Sequence, residues 1–376
     1  MKYELVSFCE IDSAAITSYC AIHNESKNKN IGDIQTADEN IIKPFNFMVG
    51  GTPCQDFSIG GNRKGAVWKC LDCGNEYNPL TVKNEDRNKC PVCESENLEK
   101  TRSSLLVEWL RILKKVKPDI AIYENVKNIL SKKFEMVFLM FKNEIEEYGY
   151  NVYFKVLNSK DYGIPQNRER LYMVIIKKTV DNGLFRFPEK PNIKPCLRDF
   201  LNPADKTQFE ECKTVQNIFI DQTIKPSVRL IYERDSALIK KSNKDIFQCI
   251  CKSGFQDCKV GIKVAPTLRA GNPHTVVFDG KHIRRLLPIE AFRLMGFTDS
   301  DFEKCKLAGV SDSQIYKQSG NSIVVDVLAY IYLELYKAMP YLFDDVKLGS
   351  FFSGIGAFEK AFYILKKRIN TKTVPC

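Results

Sequence analysis

Four cysteines set the first chemical pattern in this 376-residue chain: Cys70 and Cys73 in CLDC, and Cys90 and Cys93 in CPVC. Sixteen residues separate the pairs, giving C-x2-C-x16-C-x2-C. Each short CxxC turn points two sulfurs at one place, and four thiolates close a tetrahedral site, so the spacing predicts structural Zn²⁺. A fifth cysteine, Cys54, lies in GGTPCQDFS, where an apolar run enters a glycine-flanked loop. A thiol there can be exposed and activated as a nucleophile. Glu124 and Asn125 close the apolar run PDIAIYENV, and Arg168 and Arg170 stand at the start of RERLYMVIIKK. Singly, each has a plain alternative: a loop thiol, a satisfied buried carboxylate, a surface ion-pair cluster. Jointly, they would bring a thiol, a carboxyl group and arginines into one cleft if the runs are strands of one sheet, because ligands gather at carboxyl ends of parallel strands.

A further pattern lies almost at the end of the chain. KLGSFFSGIGAFEKAFYILKK, from Lys347 to Lys367, reads as a strand, a glycine loop and an amphipathic helix. A nucleotide-binding loop of this kind expects an acidic residue at the tip of the next strand, about 20 residues on. Nothing acidic follows Glu359. Glu10, at the end of YELVSFCE, supplies that residue if the two chain ends are neighbours in space, as the termini of domains often are.

The elements that must position these groups follow from periodicity. YELVSFCEI, FNFMVGG, PDIAIYENV, YNVYFKVLN and RLYMVIIKK read as strands, while Asp12 to Ile22, SLLVEWLRILKKV and EMVFLMFKNEIEEYG have helical spacing. Strand-like and helix-like runs alternate over the first 180 residues, which predicts an α/β, doubly wound sheet. The texture changes at about residue 181 with the proline-rich FRFPEKPNIKPC, and helical patterning returns with PIEAFRLMGF and VVDVLAYIYLELYKAM. The expected division is a catalytic domain at 1–180 with a zinc ribbon inserted at 69–100, a smaller domain at 181–283, and completion of the catalytic domain at 284–376.

Composition bounds the class. Hydrophobic residues make up 44%, so the chain is globular, and it is long enough for two domains. No apolar run is long enough to span a membrane, and MKYELVSFCEIDSAA lacks the basic start and apolar core of a signal peptide, so a cytoplasmic location is expected. The 14 cysteines then point to metal binding or catalysis rather than a disulfide framework. Net charge is +10 and pI about 8.8, which favours an anionic partner such as nucleic acid. The ribbon runs against that trend: residues 69–100 hold five Lys and Arg against seven Asp and Glu.

Five ordered motifs resemble the DNA (cytosine-5) methyltransferase family: PCQ at Pro53–Gln55, ENV at Glu124–Val126, QNRER at Gln166–Arg170, RRLLPIEAFRLMGF at Arg284–Phe297 and GNSIVVDV at Gly320–Val327. FFSGIG, ending at Gly356, resembles the family's first motif, the loop that holds S-adenosylmethionine. In most members that loop begins the domain; here it ends the chain, so the sequence looks like a circular permutant of a Rossmann-like methyltransferase domain. The resemblance implies that Cys54 adds to C6 of a flipped-out cytosine and that Glu124 contacts N3 and the exocyclic amine. It implies that Asn125 holds the loop and that Arg170 contacts the base O2 with Arg168 nearby. For the cofactor it implies Phe352, Gly354 and Gly356 in the glycine loop and Glu10 and Ile11 on the ribose strand. It adds Asp33 for the adenine amine, Leu105, and Asn321 with Ser322.

The implied partner is double-stranded DNA, met by a monomer that becomes nucleoid-associated when bound, with a cognate restriction endonuclease as a candidate further partner. Residues 181–283 correspond to the family's target-recognition region, where Arg229, Arg234 and Arg269 could read guanines or phosphates. Three other readings stand beside it: methylation of tRNA; a catalytically silent DNA-binding relative, against which Cys54, Glu124 and Arg170 argue; and a generic adenine- or RNA-directed methyltransferase sharing only the cofactor fold, against which the PCQ–ENV pairing argues.

Overall fold

The computed structural model describes residues 1–40, 42–53, 57, 66–83, 86–202, 246–249, 260–262, 264–270, 275–278 and 283–370. For residues 102–103, 246–249, 260–262, 275–278 and 283–285 it describes the backbone alone. The strands, in chain order, are β1 (Lys2–Cys9), β2 (Phe47–Gly50), β3 (Trp68–Cys70), β4 (Glu76–Tyr77), β5 (Leu98–Lys100), β6 (Ile120–Val126), β7 (Tyr150–Asn158) and β8 (Gln166–Asn167). They continue with β9 (Glu169–Lys177), β10 (Ile246–Cys249), β11 (Val260–Ile262), β12 (Ala265–Pro266), β13 (Thr275–Phe278), β14 (Ile283–Arg285) and β15 (Asp345–Phe351).

The central sheet has the order β1-β15-β2-β6-β9-β7. Its strands are apolar almost throughout because both faces are covered. Successive side chains point to opposite faces. Phe47, Val49, Ile120, Ile122, Val174 and Ile176 therefore join one core cluster, and Met48, Ala121, Tyr123, Met173 and Ile175 join the other. Helices Leu106–Val116 and Glu135–Glu147 cover the second face. Helices Ser13–His23, Val325–Ala338 and Ala357–Asn370 cover the first. Leu106, Leu110 and Leu113 recur at helical spacing and are all fully buried, and the helix stops where Lys117 turns left-handed before Pro118. Asp12 caps the first helix, accepting from the amides of Ala14 at 3.0 Å and Ala15 at 3.1 Å.

The last strand lies inside the sheet. β15 pairs in parallel with β1, Leu348 opposite Leu5, and with β2, Leu348 opposite Phe47. The sheet is not parallel throughout. β9 runs antiparallel to both β6 and β7, with Glu124 opposite Tyr172 and Val126 opposite Arg170. The connection from Asn158 to Glu169 is too short for a helical crossover, so the chain reverses. That reversal brings the start of β9, and its arginines, to the same edge as the carboxyl end of β6.

The ribbon is a three-stranded antiparallel sheet in the order β4-β3-β5. A four-stranded antiparallel sheet, β11-β10-β13-β14, draws its first three strands in chain order from the expected smaller domain, and β14 crosses the expected boundary at 283. The flanks of that region pack with the main core, through Phe185 and Leu197 on one side and Ala265 and Leu268 on the other. Among the described residues no helix is long and apolar enough to cross a membrane.

Candidate active site and cofactor loop

β2 and β6 end side by side, Gly50 opposite Tyr123. Glu124 is 8% exposed, and a Cβ on Gly51 would meet its Oε2 at 3.0 Å, so the glycine makes room for the carboxyl group. Arg170 Nε stands 3.3 Å from Glu124 Oε1. Burial raises the Glu124 pKa above the ordinary carboxyl value, and Arg170 and then Arg168 oppose that rise.

Asn125 is fully enclosed. Its Nδ2 donates to the Tyr123 hydroxyl at 2.9 Å, to Thr52 Oγ1 at 3.1 Å and to the Thr52 carbonyl at 3.4 Å. Its Oδ1 accepts from the Val126 amide at 2.8 Å. Thr52 and the Tyr123 hydroxyl are 2.5 Å apart. This buried network holds the backbone two residues before Cys54. Cys54 and Gln55 lie outside the described residues.

Arg168 is 3% exposed and spends its donors on backbone. Nη1 reaches the Leu268 carbonyl at 3.1 Å, and Nη2 reaches the carbonyls of Gly320 at 3.0 Å and Ser322 at 2.6 Å. It therefore ties the segments at 268 and 320–322 to the start of β9. Gln166, two residues before it in the same motif, does the same: Nε2 donates to the Leu294 carbonyl at 2.8 Å and Oε1 accepts from the Leu268 amide at 3.0 Å. Neither tie has a local sequence signature.

The second assembly joins the two ends of the chain. Phe352, Gly354 and Gly356 all have positive φ, at 55°, 54° and 80°. The Gly354 amide donates to Glu10 Oε2 at 2.9 Å, while Glu10 Oε1 accepts from the amides of Ile11 and Asp12, both at 2.9 Å. Ser353 locks the loop below: its amide donates to the Cys9 carbonyl at 3.1 Å and its Oγ accepts from the Cys9 amide at 3.3 Å. Asn30, which sequence reasoning did not single out, brackets Glu10 by donating to its carbonyl at 2.9 Å and accepting from its amide at 3.1 Å. Cys9 Sγ donates to the Gly32 carbonyl at 2.9 Å, which brings Asp33 beside the end of β1. Ile11 is 72% exposed, and a Cβ added at Gly354 would meet open space, so both sides of the Glu10 carboxylate carry an uncovered residue. From below, His23 packs against Gly356 and bonds through Nε2 to the Ile355 carbonyl at 3.1 Å.

Leu105 ends a short 3₁₀ turn before helix Leu106–Val116. Asn321 and Ser322 end helix Asp312–Asn321 and its cap, and Lys317 of that helix pairs with Asp12 at 2.6 Å. The Asn321–Ser322 segment is thereby held near both assemblies: to Asp12, beside Glu10, and to Arg168, beside Glu124.

The four ribbon cysteines converge, their sulfurs all within 4.8 Å of one another. Cys70 and Cys93 Sγ are 3.5 Å apart, and Cys73 and Cys90 Sγ 3.6 Å. A tetrahedral Zn–S₄ centre with bonds of about 2.3 Å needs sulfurs roughly 3.8 Å apart. The donor set and spacing fit that ion. Of the arginines expected to read DNA, Arg269 is exposed beside β12, and Arg229 and Arg234 lie outside the described residues.

The family model for C-5 cytosine-specific DNA methylase matches residues 1–69 and 92–337. The chain is 30% identical over 410 residues to the orphan methyltransferase M.SPBetaI of Bacillus phage SPbeta, covering 89% of this chain and 92% of that protein. It is 35% identical over 312 residues to the type II methyltransferase M2.ScrFI of Lactococcus lactis subsp. cremoris, covering 83% of this chain and 72% of that protein. The fold is similar to that of the S. pombe Dnmt2 methyltransferase, with a TM-score of 0.53 at 18% identity over 90% of this chain and 92% of that one. The match spans most of the sequence and includes the strand ends that carry Glu10, Glu124 and Arg170, and on it the chain belongs to the C-5 cytosine-specific DNA methylase family and is a cytosine-C5 DNA methyltransferase.

Proposed function

We propose that this enzyme methylates cytosine in a specific sequence of double-stranded DNA, with Cys54 as nucleophile and Glu124, Asn125, Arg168 and Arg170 supporting it. The observation that supports the assignment is the Asn125–Thr52 network, which holds the backbone two residues before Cys54 next to Gly51, against which the Glu124 carboxyl group lies. Cytosine C5 is a weak nucleophile. Addition of the Cys54 thiolate to C6 moves the ring electrons toward C5, which then takes the methyl group. Loss of the C5 proton to water restores the C5=C6 bond and expels the thiolate. A buried Glu124 with a raised pKa is suited to donate a hydrogen bond to N3 as the ring gains electrons. Arg170, 3.3 Å from Glu124, would contact the base O2 beside it. The geometry of Arg168 supports a positioning part: it ties the 268 and 320–322 segments to the start of β9.

Members of this family use S-adenosylmethionine, which supplies an electrophilic methyl group when bound. The open surface at Gly354, Glu10 and Ile11 is the proposed place for it. Phe352, Gly354 and Gly356 would cradle it, Glu10 would accept from the ribose hydroxyls, Ile11 would cover the adenine, and Asp33 would accept from its amine. Leu105, Asn321 and Ser322 would complete the wall. Glu10 has accepted three hydrogen bonds of about four that a carboxylate can take, which leaves capacity for a hydroxyl.

The chain order is read as a circular permutation. The central position of β15 and the Gly354–Glu10 bond support this, as does the family match stopping at residue 337. The ribbon is read as a zinc-bound insertion, supported by the unmatched residues 70–91, which contain three of the four cysteines. Residues 181–283 are the proposed target-recognition domain, with flanks that belong to the catalytic core. A monomer suffices for base flipping, and a cognate restriction endonuclease is proposed on the type II naming of relatives. The direct test is covalent capture: a duplex carrying 5-fluorocytosine, whose C5 substituent cannot leave as a cation, is expected to form a stable adduct with the enzyme and S-adenosylmethionine, mapped to Cys54. An adduct elsewhere, or none on a methylated duplex sequence, contradicts the assignment.

A further inference from the structure

The two halves of the proposed cofactor site come from opposite ends of the chain, and each runs into a helix. Glu10 leads through the Asp12 cap into helix Ser13–His23, and the glycine loop leads into helix Ala357–Asn370. Tyr19 and His23 stand four positions apart on the first helix, so they share one face. Both meet the second unit. The Tyr19 hydroxyl donates to Glu359 Oε1 at 2.8 Å across 340 positions of sequence, and the His23 ring reaches the Ile355 carbonyl. Tyr19 is fully buried and stacks on Phe8 of β1, with ring centroids 4.1 Å apart.

Glu359 lies in the first turn of its helix, three residues past Gly356, and is 4% exposed. Burial raises its pKa above the ordinary carboxyl value, and hydrogen bonding from Ser350 and then Tyr19 opposes that rise. Ser350 belongs to β15, and its carbonyl accepts from Ser353 Oγ at 3.1 Å. The carboxyl group therefore bridges the strand before the glycine loop, the helix after that loop and the helix after Glu10. A carboxyl group so enclosed favours its neutral form, and an amide offers the same shape, with an oxygen acceptor beside a donor.

The packing of the two helices has other supports. Helix Asp299–Leu307 ties both: Asp301 pairs with Lys360 at 2.6 Å, and Lys304 Nζ donates to the Ile22 carbonyl at 3.0 Å. Loss of the Glu359 contact is thus expected to loosen the loop rather than unfold the domain.

We propose that Glu359 is a positioning residue for the cofactor: through Ser350 and Tyr19 it fixes the glycine loop in register with Glu10. This rests on the cofactor site proposed above.

Wild type, Glu359→Gln, Glu359→Met, Tyr19→Phe and Glu10→Ala are compared in S-adenosylmethionine affinity by calorimetry. Their kcat is measured on unmethylated genomic DNA at saturating cofactor, and thermal unfolding reports whether each folds. Glu359→Gln is expected to stay within about twofold of wild type in affinity, because the amide replaces the neutral carboxyl group. Glu359→Met and Tyr19→Phe are expected to bind the cofactor about tenfold more weakly, the scale of one lost buried hydrogen bond, and to keep kcat within about twofold. Affinity within about twofold of wild type in a folded Glu359→Met overturns the proposal. So does a Glu359→Gln that binds as weakly as Glu359→Met, or a fall in kcat as large as the fall in affinity, which would mark a purely structural contact. If Glu359→Met does not unfold cooperatively, Tyr19→Phe takes its place in each comparison. The cofactor site fails separately: a Glu10→Ala that binds as tightly as wild type defeats it, whatever the Glu359 variants do.

Discussion

The Gly354 amide and the Glu10 carboxylate meet at 2.9 Å although they stand 344 positions apart in the chain. This bond closes the proposed cofactor site from the two ends of the sequence. A charge-assisted hydrogen bond contributes about 1.5–3 kcal/mol, so Glu10→Ala is expected to weaken S-adenosylmethionine binding by roughly 10- to 100-fold. Glu10→Gln should recover part of it, because the amide oxygen still accepts. Isothermal titration calorimetry on the folded variants checks this, and unchanged affinity in Glu10→Ala would remove Glu10 from the site.

Asn125 is expected to act on rate rather than on cofactor affinity. Its Nδ2 bonds fall on Thr52 and Tyr123, and the cofactor loop lies at the ends of other strands. Asn125→Ala should lower kcat by about 100-fold with cofactor affinity kept, since small displacements of a reacting group cost that much. Steady-state kinetics alongside calorimetry gives the split; a loss confined to cofactor binding would contradict it.

Arg168 is expected to matter for stability as well as activity. Replacing it with Met leaves three carbonyls, of Leu268, Gly320 and Ser322, without its donors. Loss of such a buried network costs about 3 kcal/mol or more. Denaturant unfolding should show this, whereas Arg170→Met, which removes the partner of Glu124 but no tie between segments, should cost less stability and abolish turnover.

His23 gives a pH dependence with a definite sign. Burial lowers its pKa from 6.5 to about 4, although its bond to the Ile355 carbonyl opposes that shift. The folded protein keeps the ring neutral while the unfolded chain takes up a proton below pH 6.5. This contribution to stability is therefore full above pH 6.5 and is lost as pH falls from there toward about 4. The loss is at most about 3 kcal/mol. Unfolding free energies at pH 7 and pH 5 should show a smaller difference in His23→Gln than in wild type; an equal difference would place the acid sensitivity elsewhere.

Much of this architecture is legible in the sequence because its signals are local. The β7 strand coincides with YNVYFKVLN residue for residue, and helix Leu106–Val116 follows from the spacing of its leucines. The place of β15 between β1 and β2 is legible for a different reason: a glycine loop needs an acidic partner, and Glu10 was the available one. The reversal of β9 was signalled by a short connection, yet alternation with helices suggested parallel strands. The ties made by Arg168, Gln166 and Asn30 were not legible. Each joins loops or elements distant in sequence and depends on where carbonyls and carboxylates come to rest, which no periodicity reports.

The most direct test is methyl transfer from labelled S-adenosylmethionine to unmethylated genomic DNA, with base-resolution mapping, by wild type and by Cys54→Ala. The account predicts C5-methylcytosine in one short sequence context for wild type and none for the variant. Modification by Cys54→Ala, or a folded, cofactor-binding wild type that leaves DNA unmodified while methylating RNA, would contradict it.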